Sequence, residues 1–257
     1  MSIDIIIQMI LSIDIGLKNL SYNIMNATDR NDFSTYKIHL WETYNTLEDD
    51  LHICEGTLKN GNSCNRNAKY TVNPNFYCKM HLPKGTVITK KNTLKKKLIK
   101  DYLLQDLVTI FLKRMQTIYD DNRELFDQVK TILIELQPKV NPTMQTISHV
   151  LYGKFVELYF DKDTKIRFIR ANTKLKAYTG PPIECKLKGA YPRRKWFSIQ
   201  YCRWFLENKF SREQCERWLP VLESGRADNS DTFLYSINAI HGMPKSQALS
   251  KKGKCIK

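Results

Sequence analysis

The stretch Leu11–Asn19, with the sequence LSIDIGLKN, constrains the fold of this chain more than any other. Its apolar residues run up to a glycine and a polar turn, which predicts a buried strand with Asp14 near its carboxyl end. A buried carboxylate must be paired, protonated or bound to a metal, because desolvating a free one is too costly for a fold. The tetrapeptide Ser-Ile-Asp-Ile also occurs at 2–5, but no turn follows it there. The residues that partner Asp14 therefore indicate which kind of site this strand carries.

The composition indicates a globular protein that binds a polyanion. An apolar fraction of 42% in 257 residues is enough for a substantial core. The formal net charge of +15 favours nucleic acid as the partner, with a membrane surface as the weaker alternative. No apolar run has the ~18 residues of a spanning helix and the start lacks the pattern of a secretory leader, so we expect a soluble, intracellular protein. Seven Cys residues at irregular spacing favour metal ligands or free thiols over a disulfide scaffold.

The order of the apolar patterns predicts an α/β domain that contains an insertion. Besides the strand with Asp14, the patterns predict strands at 20–27, 33–43, 129–136 and 166–169, and helices at 94–118, 142–160, 193–208, 212–223 and 228–240. Short turns join the first three strands, which predicts an antiparallel meander. Periodicity is absent from 45–90, so the main domain is expected at 1–44 and 91–244, interrupted by a separate module. A basic, flexible tail is expected at 245–257.

Three further carboxylates stand where they can meet Asp14. Glu135 ends the strand predicted at 129–136, while Asp228 and Asp231 are three residues apart and share one face of the last helix. Four oxygen donors at one point would bind Mg²⁺ or Mn²⁺ rather than a soft metal. In a strongly basic protein such a point implies phosphate chemistry, with two divalent ions assisting displacement at phosphorus. Taken singly, the two aspartates would more often cap a helix, and Glu135 would as often face a loop.

At these residues the sequence resembles the RuvC-type Holliday-junction resolvases, most closely their poxvirus and large-DNA-virus branch. The resemblance rests on Ser-Ile-Asp-Ile-Gly-x-Lys-Asn on the first strand, Ile-Glu-x-Gln on the fourth and Asp-x-x-Asp at the last helix, and it covers about 11–43 and 91–242. It implies a ribonuclease H-like mixed five-stranded sheet flanked by helices. It also implies that Asp14, Glu135, Asp228 and Asp231 are catalytic ligands of two Mg²⁺ or Mn²⁺ ions.

The same resemblance implies a homodimer that resolves four-way DNA junctions by paired cuts, during viral recombination or concatemer processing. If the chain is viral, a cytoplasmic replication site in the host cell is expected. Lys18 and Asn19 match the family motif and are candidates for phosphate contacts, with an ordinary solvated turn as the alternative. Charge alone suggests that the loop expected at 172–194 contacts the DNA backbone. The alternative is that some of its Lys and Arg residues are ordinary solvated cations. Its candidate residues are Lys174, Lys176, Lys186, Lys188, Arg193, Arg194 and Lys195.

The insertion contains a candidate zinc site with the spacing C-x9-C-x13-C-x2-H, formed by Cys54, Cys64, Cys78 and His81. The second pair has the tight spacing at which one turn presents two ligands to tetrahedral Zn²⁺. The first pair needs a chain reversal, which the turn at 60–62 can supply. With four protein ligands the zinc would be structural and would replace missing apolar burial. The alternative is four unrelated loop residues; His52 is a spare candidate ligand.

The remaining thiols lack ligand spacing and are expected in packing or loops: Cys185, Cys202, Cys215 and Cys255. Three functions remain open from the sequence. The first is a metal-dependent, structure-selective endonuclease, a crossover-junction endodeoxyribonuclease. The second is another ribonuclease H-like nuclease that acts on RNA–DNA hybrids, because a fold does not fix a substrate. The third is a non-catalytic, zinc-containing DNA-binding protein.

Overall fold

The computed structural model describes residues 7–47, 52–94, 98–224 and 227–241. The chain divides into two compact units, the first comprising Met1–Tyr44 and Leu112–Lys257 and the second comprising Asn45–Phe111. The tail expected at 245–257 and Cys255 lie outside the described residues. None of the helices in the described ranges is long and apolar enough to cross a membrane.

The first unit is built on a five-stranded mixed sheet. Its strands are β1 (Ile7–Ile15), β2 (Asn19–Ala27), β3 (Lys37–Asn45), β6 (Val129–Glu135) and β7 (Lys165–Ile169), while β4 (Tyr70–Val72) and β5 (Asn75–Tyr77) form a hairpin in the second unit. The order across the sheet is β3-β2-β1-β6-β7. β1 is antiparallel to β2 and parallel to β6, and β7 is parallel to β6. The predicted meander followed by parallel strands is confirmed, as is the predicted mixed five-stranded sheet.

Helices cover the central strands of this sheet. The described helices are α1 (Leu104–Asp121), α2 (Arg123–Asp127), α3 (Pro142–Leu158), α4 (Ala190–Asn208), α5 (Arg212–Glu223) and α6 (Ala227–His241). α6 packs on β1 and β2, and α4 and α5 pack on α6. The core on this side includes Trp41, Phe205 and Phe233, none of which is exposed. Because β1 is central, its residues Ile10–Ile13 are buried on both faces, which explains its continuous apolar run.

Three predicted boundaries were wrong. The helix expected from residue 94 begins at Leu104, because Leu98 and Tyr102 have extended backbones on either side of a single 3₁₀ turn. The strand expected from residue 33 begins at Lys37, since Asp32 caps a 3₁₀ turn by accepting a hydrogen bond from the Ser34 backbone N–H. The loop expected at 172–194 is shorter, because a 3₁₀ segment occupies 171–177 and α4 already starts at Ala190.

Candidate active site and metal centre

The four predicted carboxylates line one cavity of about 450 Å³ in the first unit. Asp14 and Glu135 lie at the carboxyl ends of β1 and β6, which are parallel neighbours with Ile13 beside Ile134. The carboxyl ends of neighbouring parallel strands meet at one edge of a sheet, the usual position of a ligand site in open α/β sheets. Asp228 and Asp231 come from the first turns of α6. The structure thus brings together three distant parts of the sequence.

Polar contacts place α6 against the sheet. The hydroxyl groups of Ser12 on β1 and Ser236 on α6 are 2.8 Å apart and buried. The indole N–H of Trp41 on β3 donates to the backbone oxygen of Asn229, at 2.8 Å, and Thr43 donates to the Asn229 side-chain oxygen. Asn229 lies between the two aspartates of α6 in sequence. These contacts therefore fix the helix turn that carries both carboxylates.

Two lysines pair with the aspartates of α6. The Lys174 ammonium lies 2.5 Å from Asp231 Oδ2, and both side chains are largely buried, with 12% and 6% exposed. Although burial lowers it, the carboxylates of Asp231 and Glu135 raise the pKa of Lys174 overall. The Lys195 ammonium lies 3.1 Å from Asp228 Oδ1, and Asp228 likewise raises its pKa against the effect of burial. Both ammonium groups thus remain charged at neutral pH.

The other two carboxylates, Asp14 and Glu135, differ from the aspartates of α6 in their ion pairing. In the ranges that the structure describes, no ion pair involves Asp14 or Glu135. Burial, followed by the charges of Glu135 and Asp231, raises the pKa of Asp14 well above its usual range. The Oδ1 atom of Asp231 is buried without a hydrogen-bond partner among the described atoms. An excess of two carboxylates and an unsatisfied buried oxygen fit a divalent cation such as Mg²⁺.

The side chains are not gathered as closely as those of a preformed metal cage. Across the described ranges, no three of these carboxylates have oxygen atoms within 4.8 Å of one another. Lys174 and Lys195 line the same cavity, where they pair with Asp231 and Asp228. The site as it stands is therefore a mixed cluster of carboxylates and ammonium groups.

Tyr235 was missed by the sequence analysis. Its hydroxyl group donates a 2.5 Å hydrogen bond to Glu135 Oε2, and its side chain is 1% exposed. Burial and the nearby Glu135 raise the pKa of Tyr235, so the phenol stays protonated and remains a donor. The available signal was its spacing of four residues after Asp231, which puts both on one face of α6. Tyr235 holds one oxygen of Glu135 and leaves the other available to a ligand.

Tyr235→Phe is expected to weaken Mg²⁺ binding by the carboxylates while leaving the fold intact, because it removes one hydrogen bond and keeps the ring. Outer-shell partners of metal ligands typically change affinity about 10- to 100-fold. We expect the apparent dissociation constant for Mg²⁺, measured from the thermal stabilisation that Mg²⁺ gives, to rise about 10-fold. Tyr22→Phe is the matched control, since Tyr22 donates to Glu42 and not to a cavity residue. An unchanged Mg²⁺ dependence in Tyr235→Phe would contradict this role.

The predicted basic residues divide into two groups. Lys174, Arg194 and Lys195 line the cavity. The others do not line it, and their side chains are exposed: Lys18, Lys176, Lys186, Lys188 and Arg193. Tyr191, which follows Gly189 at the start of α4, also lines the cavity and is 61% exposed. The α4 end of the loop, rather than its middle, therefore borders the carboxylates.

Gly16 and Asn19 close the turn that ends β1. The backbone N–H of Gly16 donates to the backbone oxygen of Asn19 at 2.8 Å. A Cβ atom at Gly16 would lie 2.7 Å from that oxygen, so a side chain does not fit there. Asn19 thus contributes its backbone to the turn, and its side chain does not line the cavity. Steric crowding by the Asn19 backbone therefore explains why a glycine follows Ile15 in the turn after Asp14.

The second unit gathers the four predicted zinc ligands. One ligand atom from each of Cys54, Cys64, Cys78 and His81 lies within 4.8 Å of all the others. The Cys64 and Cys78 sulfurs are 3.9 Å apart, and His81 Nδ1 lies 3.5 Å from the Cys54 sulfur and 3.7 Å from that of Cys78. A tetrahedral site with Zn–S of about 2.3 Å and Zn–N of about 2.0 Å has edges of about 3.8 and 3.5 Å. The cluster therefore has the dimensions of a metal site.

The surrounding backbone explains how these residues meet. Residues 57 and 63 form an antiparallel bridge, and the Gly61 N–H donates to the Leu58 oxygen, so the predicted reversal at 60–62 is confirmed. Any side chain at Gly56 would collide with the His81 ring. Although burial opposes it, the backbone N–H groups of His81 and Met80 lower the pKa of Cys78, which favours the thiolate. The fold of this segment is thus organised around the cluster.

The remaining candidates lie outside the cluster. His52 stacks on Phe76 with ring centroids 3.8 Å apart, so it is a packing residue rather than a fifth ligand. Cys185, Cys202 and Cys215 are free thiols. Cys202 is fully buried in the core of the first unit, where burial raises its pKa well above the usual range. These positions agree with the packing and loop roles expected for them.

No known protein family and no curated protein matches the chain. Among solved structures, the Fowlpox virus resolvase in complex with its substrate Holliday junction DNA is similar over 91% of this chain and 99% of that chain, at 15% identity and a TM-score of 0.42. The T. thermophilus RuvC in complex with a Holliday junction substrate is similar over 91% of this chain and 96% of that chain, at 8% identity and a TM-score of 0.41. The chain is therefore remotely similar to two junction resolvases along most of its length.

Proposed function

We propose that this protein is a divalent-metal-dependent endonuclease that resolves four-way DNA junctions. The observation that carries the proposal is the convergence of Asp14, Glu135, Asp228 and Asp231 on one cavity bordered by three cationic side chains. A carboxylate cluster beside cations suits a phosphodiester, because the acids hold the metal while the cations attract the phosphate. The preference for junctions rests on the motif resemblance to RuvC-type resolvases.

The four carboxylates would hold Mg²⁺ or Mn²⁺, two ions per site by the resemblance. Such ions would activate a water molecule and stabilise the leaving 3′ oxygen. Lys174 is buried and pairs with Asp231, and its charge opposes the rise in the pKa of Asp231 that burial causes. Lys195 and Arg194 are on the first turns of α4 at the cavity edge, where they would bind the phosphates that flank the cut. Tyr235 orients Glu135 through its hydrogen bond.

We also propose that Cys54, Cys64, Cys78 and His81 bind one structural Zn²⁺ per chain. Support comes from the matching distances and from a set of four protein ligands, which leaves no position for a reactive water. The resemblance to the resolvases further suggests a homodimer, in which each protomer cuts one of two opposed strands. Sedimentation or light scattering of the purified protein is expected to give twice the mass of 30.2 kDa.

The proposed function predicts selective cleavage of a mobile four-way junction in Mg²⁺. Purified protein is incubated with labelled junction, linear duplex of the same sequence and RNA–DNA hybrid, each with Mg²⁺ and each with Ca²⁺ as a metal control. We expect symmetric, ligatable nicks in the junction only. Preferential cleavage of the hybrid would favour the other ribonuclease H-like activity, and binding of all substrates without cleavage would favour a non-catalytic DNA-binding protein.

A further inference from the structure

The module at residues 52–94 carries a concentrated positive charge that the carboxylate site does not use. We propose that this module is a second nucleic-acid-binding surface, which contacts the phosphate backbone through cations placed by the Cys–His cluster. The inference rests on the proposed function only in taking DNA as the polyanion. It assigns a role to a part of the chain that the resemblance to resolvases does not cover.

The charge of this module is almost entirely of one sign. Within 52–94 the chain has seven Lys and Arg residues and a single acidic residue, Glu55, which gives a net charge of +6. Three thiolates and one bound Zn²⁺ would together add −1, so the loaded module would remain strongly basic. The seven cations are all exposed: Lys59, Arg66, Lys69, Lys79, Lys84, Lys90 and Lys91.

None of these seven cations forms an ion pair within the ranges that the structure describes. The first unit is different, since Arg123, Lys154 and Lys162 each pair with an acidic neighbour. A cation without a protein carboxylate interacts with solution ions, which it releases when it binds a phosphate chain. That release is the main source of affinity in non-specific nucleic-acid binding. The charges of the module are therefore available to a polyanion.

Three of the cations lie in, contact or directly follow the metal-binding turn. Lys79 lies between the ligands Cys78 and His81, and the Arg66 guanidinium contacts the sulfur of Met80 in the same turn. Lys84 follows in a second turn, in which the Thr86 N–H donates to the Pro83 oxygen at 3.1 Å. The ligand set thus fixes the position of Lys79 and, through Met80, holds Arg66 at the same turn. We name these residues, Arg66, Lys79 and Lys84, the knuckle cations.

The composition of this surface favours a nucleic acid over an acidic protein as its partner. Protein–protein interfaces are depleted in Lys, whereas contacts to DNA phosphates come largely from Lys and Arg. The module belongs to the second unit, Asn45–Phe111, which the polypeptide chain joins to the first unit at both of its ends. Such tethering raises the local concentration of a second binding site, so even weak phosphate contacts would add to total affinity.

The test compares two triple variants that each remove three positive charges. Arg66→Gln, Lys79→Gln and Lys84→Gln together remove the knuckle cations, while Arg123→Gln, Lys154→Gln and Lys162→Gln remove ion-paired cations of the first unit. Affinity for junction and for linear duplex is measured between 50 and 300 mM salt without Mg²⁺, so that no cleavage is required. Zinc content is measured on every preparation.

The knuckle variant is expected to lose about 10-fold in affinity at 100 mM salt for both DNA forms, and to reduce the salt slope by about 2 to 3, since each phosphate contact contributes about 0.9. It should keep one zinc per chain. The control variant should stay within about 1 of the wild-type slope. Equal slopes in the two variants would overturn the proposal and would leave the surface to an acidic protein.

If the knuckle variant loses its zinc, the triple variant Lys59→Gln, Lys90→Gln and Lys91→Gln replaces it, because these residues are not next to the ligands in sequence. The same loss of affinity and salt slope is expected, and a slope equal to that of the control variant would again overturn the proposal. Because DNA binding is measured without Mg²⁺, the result is independent of the cleavage assay. A wild-type protein that binds DNA through the module but cuts no junction would contradict the proposed endonuclease and support this inference.

Discussion

Asp14→Asn is expected to abolish Mg²⁺-dependent junction cleavage, with a rate loss of at least about 1000-fold. Such a loss corresponds to about 4 kcal/mol of transition-state stabilisation. The physical reason is that an amide keeps the shape of Asp14 but removes one of the two cavity carboxylates that form no ion pair among the described residues, and with it a charged metal ligand. Single-turnover cleavage at saturating protein measures the effect without interference from binding.

The same substitution is expected to stabilise the metal-free protein. Burial and two neighbouring carboxylates raise the pKa of Asp14, so the folded state binds a proton more tightly than the unfolded state does. Stability is then lost as the pH rises above the unfolded pKa of about 3.9. Asp14→Asn removes this cost at neutral pH, and each kcal/mol gained should raise the melting temperature by about 2–4 °C.

Thermal unfolding with and without Mg²⁺ gives a control that is independent of activity. The wild type should be stabilised by added Mg²⁺, and Asp14→Asn should lose most of that response. Asp161→Asn provides a matched acidic residue that does not line the cavity. Intact cleavage by Asp14→Asn, or an unchanged response to Mg²⁺, would contradict the assignment of Asp14 to the metal site.

Removal of zinc is expected to unfold the second unit while leaving the first unit folded. Cys78→Ser combined with His81→Ala removes two of four ligands, and the zinc content should fall from about one per chain to nearly zero. Structural zinc contributes on the order of 10 kcal/mol to the folding of small modules. In the part of the module described, the buried residues of the cluster are the three cysteines, with Tyr77 packed against them. Little apolar burial would remain without the metal.

Metal analysis and hydrogen exchange together measure this result. Amide protection at residues 52–94 should be lost in the double variant or after chelation, whereas protection of β1 and β6 should persist. Cys215→Ser is the matched control, because Cys215 is a free thiol outside the cluster. A double variant that retains about one zinc per chain would refute the ligand set.

The sequence was most informative where chemistry and chain geometry agree. Asp14 and Glu135 are predictable because an acidic residue at the end of an apolar strand needs a partner, and parallel strands place such ends together. Asp228 and Asp231 follow from helical spacing. The cysteine spacing with a turn at 60–62 was sufficient to predict the second cluster, because the possible ligands in that segment are few.

Other features depend on tertiary structure that a pattern does not contain. The pairs formed by Lys174 and Lys195 depend on the path of the 3₁₀ segment and on the start of α4, neither of which has an apolar period. Tyr235 lies on the face of α6 that carries Asp231, but its spacing gives no sign of the contact that its hydroxyl group makes with Glu135. The helix expected from residue 94 failed because Leu98 and Tyr102 continue the helical spacing although neither is buried.

The ion pair between Lys195 and Asp228 has a thermodynamic consequence for the proposed function. The Lys195 ammonium is suited to bind a phosphate, and the Asp228 carboxylate is suited to bind a metal ion. The two groups are 3.1 Å apart, and both are partly exposed. A ligand that takes either partner frees the other, so DNA and Mg²⁺ should each increase the affinity of the protein for the other by the same factor. Without DNA, Lys195 would compete with metal cations for Asp228, so we expect weak metal binding that becomes stronger when DNA is added.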